Sequence, residues 1–124
     1  MAEKIIPFEI QVKRIYDAPN PEDGYRILVD RLWPRGIKKA DASVDLWLKE
    51  IAPTDALRKW FNHDPEKWDE FQGRYFKELD QNQDLVDQLI LRLKKHKVTF
   101  VFSARDVTHN NAIALKTYLL GFGC

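Results

Sequence analysis

The order of apolar and polar positions predicts alternating strands and helices. Over residues 8–16, Phe8, Ile10 and Val12 point one way and Glu9, Gln11 and Lys13 the other, which predicts a half-buried strand near a sheet edge. Residues 17–24, DAPNPEDG, hold two prolines, Asn, Asp and Gly and predict a turn. Residues 25–32 predict a second strand with an apolar centre, Ile27-Leu28-Val29, and Pro34 and Gly36 then stop regular pairing. Residues 43–51 are ambiguous. Val44, Leu46 and Leu48 alternate as in a strand, while Trp47 and Ile51 have helical spacing; the pattern leans towards a strand closed by Pro53.

Helical periodicity dominates the next third. Thr54 is an expected N-cap, with Asp55 at the positive end of a short helix to Phe61. Asp64 can cap a further helix whose first position suits Pro65. In it Trp68, Phe71, Tyr75 and Leu79 share one face, with Phe76 beside them. Asp84 and Asp87 resemble a capping arrangement for a helix ending near Lys95, with Val86, Leu89, Ile90 and Leu93 as its buried stripe. Residues 98–102, VTFVF, predict a central strand covered on both faces. A final helix is expected over residues 108–120, with Ala112, Leu115 and Leu119 inward and Gly121 ending it.

Strands followed by helices predict an α/β fold: a small three-layer sandwich with a mainly parallel sheet flanked by helices. In such sheets ligands bind beyond the carboxyl ends of the strands. The second strand ends at Asp30-Arg31 and the last at Ser103-Ala104-Arg105-Asp106. If both run the same way, the two polar clusters share one rim.

Composition narrows the picture. At 124 residues one domain over residues 1–124 is expected. The formal net charge is +1, from 20 basic and 19 acidic residues, too balanced for the overall field to drive nucleic-acid or membrane binding. Cys124 is the sole cysteine, so no internal disulfide forms and a reducing compartment is expected. Residues 1–7 lack a leader pattern, and no apolar run reaches the length of a membrane span, so the expected location is the cytoplasm.

The candidate chemistry gathers at the two strand ends. Arg31 and Arg35, four residues apart around a turn, are suited to a carboxylate or phosphate, because the guanidinium fork binds such groups bidentately. The alternative is that Arg31 pairs with a nearby Asp. Trp33 can stack on a ligand, or cap the core and use its N–H once. Ser103, Arg105, Asp106 and His109 span a strand-to-helix junction, where a helix N-terminus offers free N–H donors. There Asp106 can orient His109 as an acid or base; alternatively Asp106 or Thr108 caps the helix and His109 and Asn110 face solvent. The three histidines show no metal-ligand spacing, and no glycine-rich phosphate loop is present, so neither a metal nor a nucleotide cofactor is expected.

Residues 25–36, YRILVDRLWPRG, resemble the signature of the YeaO-like proteins, which carry domain of unknown function 488. Further matching stretches are WLKEIAP at residues 47–53, LRKWF at 57–61, and HDP at 63–65 with Trp68, Phe71 and Tyr75. SARD at residues 103–106, with His109-Asn110, completes the match. The resemblance implies a compact intracellular α/β domain from bacteria or archaea whose function is not established. Its motif residues fall on Asp30, Arg31, Trp33, Arg35, Arg58, Trp60, His63, Arg105, Asp106, His109 and Asn110. The expected function is a small enzyme acting on an anionic metabolite such as a nucleotide derivative. Asp30, Asp106 and His109 would move protons, and Arg31, Trp33, Arg35, Arg58, Trp60, His63, Ser103, Arg105 and Asn110 would bind the ligand. The alternative is a non-catalytic ligand- or protein-binding module whose Arg/Asp cluster is structural. The expected partner is an anionic small molecule; neither membrane nor nucleic acid is expected, and the oligomeric state is left open.

Overall fold

In the structure, a computed structural model describing residues 9–121, four strands form one sheet. They are Ile10–Arg14 (β1), Tyr25–Leu28 (β2), Leu46–Trp47 (β3) and Val98–Phe102 (β4), in the order β1-β4-β2-β3, with every pairing parallel. The last strand lies in the middle. Phe100 is flanked by Val12 of β1 and Ile27 of β2. All five β4 residues are buried, as expected of a strand covered on both faces. β1 lies at an edge, as its alternation predicts. Phe8, residues 1–7 and Cys124 lie outside the described residues.

The described residues also form five α-helices: Lys39–Ala42 (α1), Asp55–Phe61 (α2), Trp68–Asp80 (α3), Gln83–Lys95 (α4) and Asn111–Gly121 (α5). The two sheet faces are covered unequally. Ile27, Val29, Val98, Phe100 and Phe102 share the larger core with Phe71, Tyr75 and Leu79 of α3, Val86 and Leu89 of α4, and Leu115 and Leu119 of α5. Leu28 and Val101, pointing the other way, share a smaller core among the described residues with Ile15, Ala42 and the half-buried Trp33, Ile37, Val44 and Trp47. One layer is thus helical; the other is a one-turn helix and its flanking loops.

Several boundaries differ from the sequence pattern. Only Leu46–Trp47 of residues 43–51 pair as a strand, and Lys49–Ile51 form a 3-10 turn. Helix α4 begins after Asn82, so Asp84 lies in its first turn rather than capping it. Helix α5 begins at Asn111, because Asn110 provides the cap: its Oδ1 accepts from Ile113 N at 3.0 Å. Thr54 caps α2 as its position predicts, accepting from Leu57 N, whereas Asp64, accepting from Glu66 N, caps a 3-10 turn, Pro65–Lys67, and α3 starts only after it, at Trp68. Gly24 enters β2 with φ of 67° and has no room for a Cβ against the Lys97 carbonyl, so glycine is required there.

A buried ion pair at the amino ends of the strands was not singled out by the sequence pattern. Arg26 donates to Asp23 at 2.6 Å and to the carbonyls of Ser43 and Ala42 at 2.8 and 3.1 Å. Lys13 also reaches Asp23, at 3.2 Å. Burial works against the Asp23 carboxylate, but the Asn20 N–H, Lys13 and Arg26 together hold its pKa below the ordinary value. No helix among the described residues is long and apolar enough to cross a membrane.

Candidate functional site

The parallel sheet brings the two polar strand ends together. Asp30 lies two residues beyond β2 and Ser103 immediately follows β4. Ser103 donates to Asp30 Oδ2 twice, from its backbone N at 2.9 Å and from Oγ at 2.8 Å. Asn111, the first residue of α5, donates from Nδ2 to Asp30 Oδ1 at 3.2 Å and to the Val29 carbonyl at 2.9 Å. Trp47 Nε1 donates to the Asp30 carbonyl at 2.8 Å. From β1, Arg14 donates to the carbonyls of Ala104 and Ser103 at 2.9 and 3.3 Å. Burial pushes the Asp30 carboxyl above its ordinary pKa, against the lowering effect of the Ser103 and Asn111 donors and the Arg58 charge.

Above this junction opens a cleft of about 440 Å³, within the range of small-molecule sites. Its basic lining is Arg31, Arg35, Arg58 and Lys59, and its one carboxyl is Asp30. Phe61 and Phe71 give it an apolar floor, and both are buried. Trp33, His63, Ser103, His109 and Asn110 also line it.

These residues play different local parts. Arg31 is held by its neighbours: Nε and Nη2 donate to the carbonyls of Pro53 and Ala52 at 3.1 and 3.0 Å, and Nη1 lies 3.5 Å from Glu50. Its fork therefore clamps the loop before α2. Arg35 is exposed, and its side chain has no hydrogen-bond or ion-pair partner among the described residues. Tyr16 donates to the Arg35 carbonyl at 2.9 Å and so fixes that loop to the end of β1. Arg58 pairs with Asp55 at 2.9 Å on the surface. Trp33 donates to the Ile37 carbonyl and packs edge-on against Trp47, so it closes the smaller core as well as lining the cleft. His63 follows Asn62 in a double left-handed turn, with φ of 56° and 48°, that ends α2.

Three of the expected site residues do not line the cleft. Trp60 lies under Arg74 and Lys67, whose cationic groups sit 4.2 and 5.1 Å from its ring. Arg105 is exposed, and its side chain has no hydrogen-bond or ion-pair partner among the described residues. Asp106 organises its own turn: it accepts from Thr108 N, Thr108 Oγ1, His109 N and His109 Nδ1, all between 2.9 and 3.0 Å. The Thr108 N–H and the His109 ring, with the other donors, hold its carboxyl well below the usual carboxylate range. With Nδ1–H donated to Asp106, Nε2 is the free nitrogen of neutral His109, whose ring meets Trp68 edge-on. Asn110 is buried and spends its amide on Asp106 and the α5 cap.

Sequence reasoning missed Asn111 and Lys59. Each directly follows a chosen residue, and only the helix start and the direction of α2 reveal which way it faces. Among the described residues, no group of three or more His, Cys, Asp or Glu is placed to hold a metal.

Fold and cleft together define a small α/β domain with an all-parallel sheet and a cation-lined opening at the carboxyl ends of its strands. The chain belongs to the YeaO-like DUF488 family, and within it the group described as "Inactive DUF488-N3 subclade" matches residues 9–121. It is 46% identical to the uncharacterised protein YeaO of Escherichia coli strain K12 over 110 residues, covering 89% of this chain and 96% of that protein. Uncharacterised proteins of Mycobacterium bovis and Mycobacterium tuberculosis are each 41% identical over 112 residues, covering 90% of this chain and 94% of theirs. No solved structure matches the chain significantly.

Proposed function

We propose that this chain is a non-catalytic binding domain that takes a small anionic ligand in the cleft. The observation that carries the reading is the charge of the lining: four Lys or Arg side chains against one carboxyl, which three protein donors already occupy. Arg35 supplies a fork with no partner among the described residues, suited to a phosphate or carboxylate. The description of the matching subclade as inactive supports binding without turnover. So does the position of the carboxylates expected to move protons, since Asp30 pins two strand ends to α5 and Asp106 pins a turn.

A second reading, an enzyme acting on the same anionic metabolite, is favoured by His109. It lines the cleft with Nδ1 held by Asp106, the arrangement that prepares the other ring nitrogen to move a proton. A thermal-shift and NMR screen of nucleotides, sugar phosphates and small carboxylates tests both readings. A ligand should raise the midpoint of the wild-type protein, and Arg35→Ala should lose most of that shift. Arg35 is a better probe than Arg31, whose removal also frees the Ala52 and Pro53 carbonyls. Absence of any hit sinks the binding reading. Turnover of a bound ligand that His109→Gln abolishes replaces it with the enzymatic one.

A further inference from the structure

The cleft sets a carboxylate among cations, and that mixture constrains what fits. A pure anion needs only the basic lip. Asp30 adds a fixed acceptor beyond the end of β2. A carboxylate has about four acceptor positions. Ser103 fills two on Oδ2, at 2.9 and 2.8 Å, and Asn111 fills one on Oδ1 through a longer bond of 3.2 Å. Oδ1 therefore keeps capacity for one more donor. The protein donors at Asp30 are all spoken for: Ser103 gives both its hydrogens to Asp30, and Asn111 divides its amide between Asp30 and Val29. Among the described residues no further donor reaches Asp30, so this position is open to a donor from a ligand.

We infer that the ligand is bifunctional: a phosphate or carboxylate at one end, held by the Arg35 lip, and a hydroxyl or amino group at the other, donated to Asp30 Oδ1. This rests on the binding reading above and narrows it. Asp30 repels a second negative group, so the cleft takes a ligand with one anionic group and a separate hydroxyl or amino group in preference to a compact polyanion with several. Phe61 and Phe71 in the cleft lining offer an apolar surface to the carbon skeleton of such a ligand.

The test is a matched set of probes read by NMR titration. Glycerol 1-phosphate and propyl phosphate share chain length and charged group, but only the first carries hydroxyl donors; 3-aminopropyl phosphate replaces them with an ammonium. Wild-type protein should bind a donor-bearing probe at least about tenfold more tightly than propyl phosphate, the effect expected of one hydrogen bond to a charged group. Asp30→Asn should level the difference. Equal affinity of all three probes for wild type overturns the inference while leaving the binding reading intact, as does a preference that survives in Asp30→Asn. If none of the probes, nor inorganic phosphate, moves the cleft amides, both fall. The wild-type comparison decides the matter even if Asp30→Asn does not fold.

Discussion

Asp30 and Asp23 show how the same side chain acquires opposite acidity at the two ends of one strand. Asp23 is buried and Asp30 is half-buried. At Asp23 burial is outweighed by the Asn20 N–H, Lys13 and Arg26 together; at Asp30 burial prevails over the Ser103 and Asn111 donors and the Arg58 charge. A raised folded-state pKa means that Asp30 contributes stability fully present below the ordinary carboxyl value of 3.8 and lost as pH rises through the folded value. Urea unfolding across an acidic pH series should therefore show wild type losing ground to Asp30→Asn as pH rises, and a carboxyl-carbon titration should place the Asp30 midpoint above 3.8. A midpoint at or below 3.8 would contradict the burial argument. Residue by residue, the sequence was most legible where one chemistry had one use. Arg31 and Ser103 stood out as polar groups at strand ends, and both meet at the cleft. Arg26 did not stand out, although a charge inside the run Tyr25–Leu28 is a signal of a buried partner.

Elements were legible where periodicity was long or continuous. The face Phe71, Tyr75, Leu79 of α3 and the unbroken VTFVF of β4 needed no tertiary information. The start of α5 did. Asp106, Thr108 and Asn110 are all good caps, and short-range pattern does not rank them. Asn110 prevails because its side chain is buried between the helix and the preceding turn, bonding Ile113 N and the Asp106 carbonyl at once. Asn110→Ala should accordingly lower stability by about 1–2 kcal/mol in chemical denaturation, with faster amide exchange at Ile113. Unchanged exchange at Ile113 would return the capping role to the earlier residues. The stretch 43–51 was misleading for another reason. Its alternation is real, but β2 offers β3 only Ile27 and Leu28 as partners before the chain turns, so pairing stops after two residues.

At the scale of the whole molecule the sheet has a polarity. Its carboxyl end opens into the cleft, and its amino end is locked by Asp23, Arg26 and Lys13. Removing one member of a buried pair leaves the other charge without compensation, so Arg26→Ala should cost about 3–5 kcal/mol in urea unfolding. Replacing Asp23 as well, by an apolar residue, should recover part of that loss; a double variant no more stable than the single one argues against the pair as the source. The α/β class and the shared rim followed from the sequence, because parallel strands point their ends the same way. The thin second layer did not, since it is built mostly from loops.

The central position of β4 has a consequence for how the protein comes into being. As the chain leaves the ribosome, β1 appears first and β2 and β3 follow, yet β1 has no described partner other than β4. Until residues 98–102 are made, β1 lacks its described partner and β2 has β3 alone to pair with. Ser103 and Asn111, which complete the Asp30 junction, follow immediately behind β4. Closure of the sheet and assembly of the cleft are therefore one late event, and a chain stalled before that point would expose strand edges and lack the cleft.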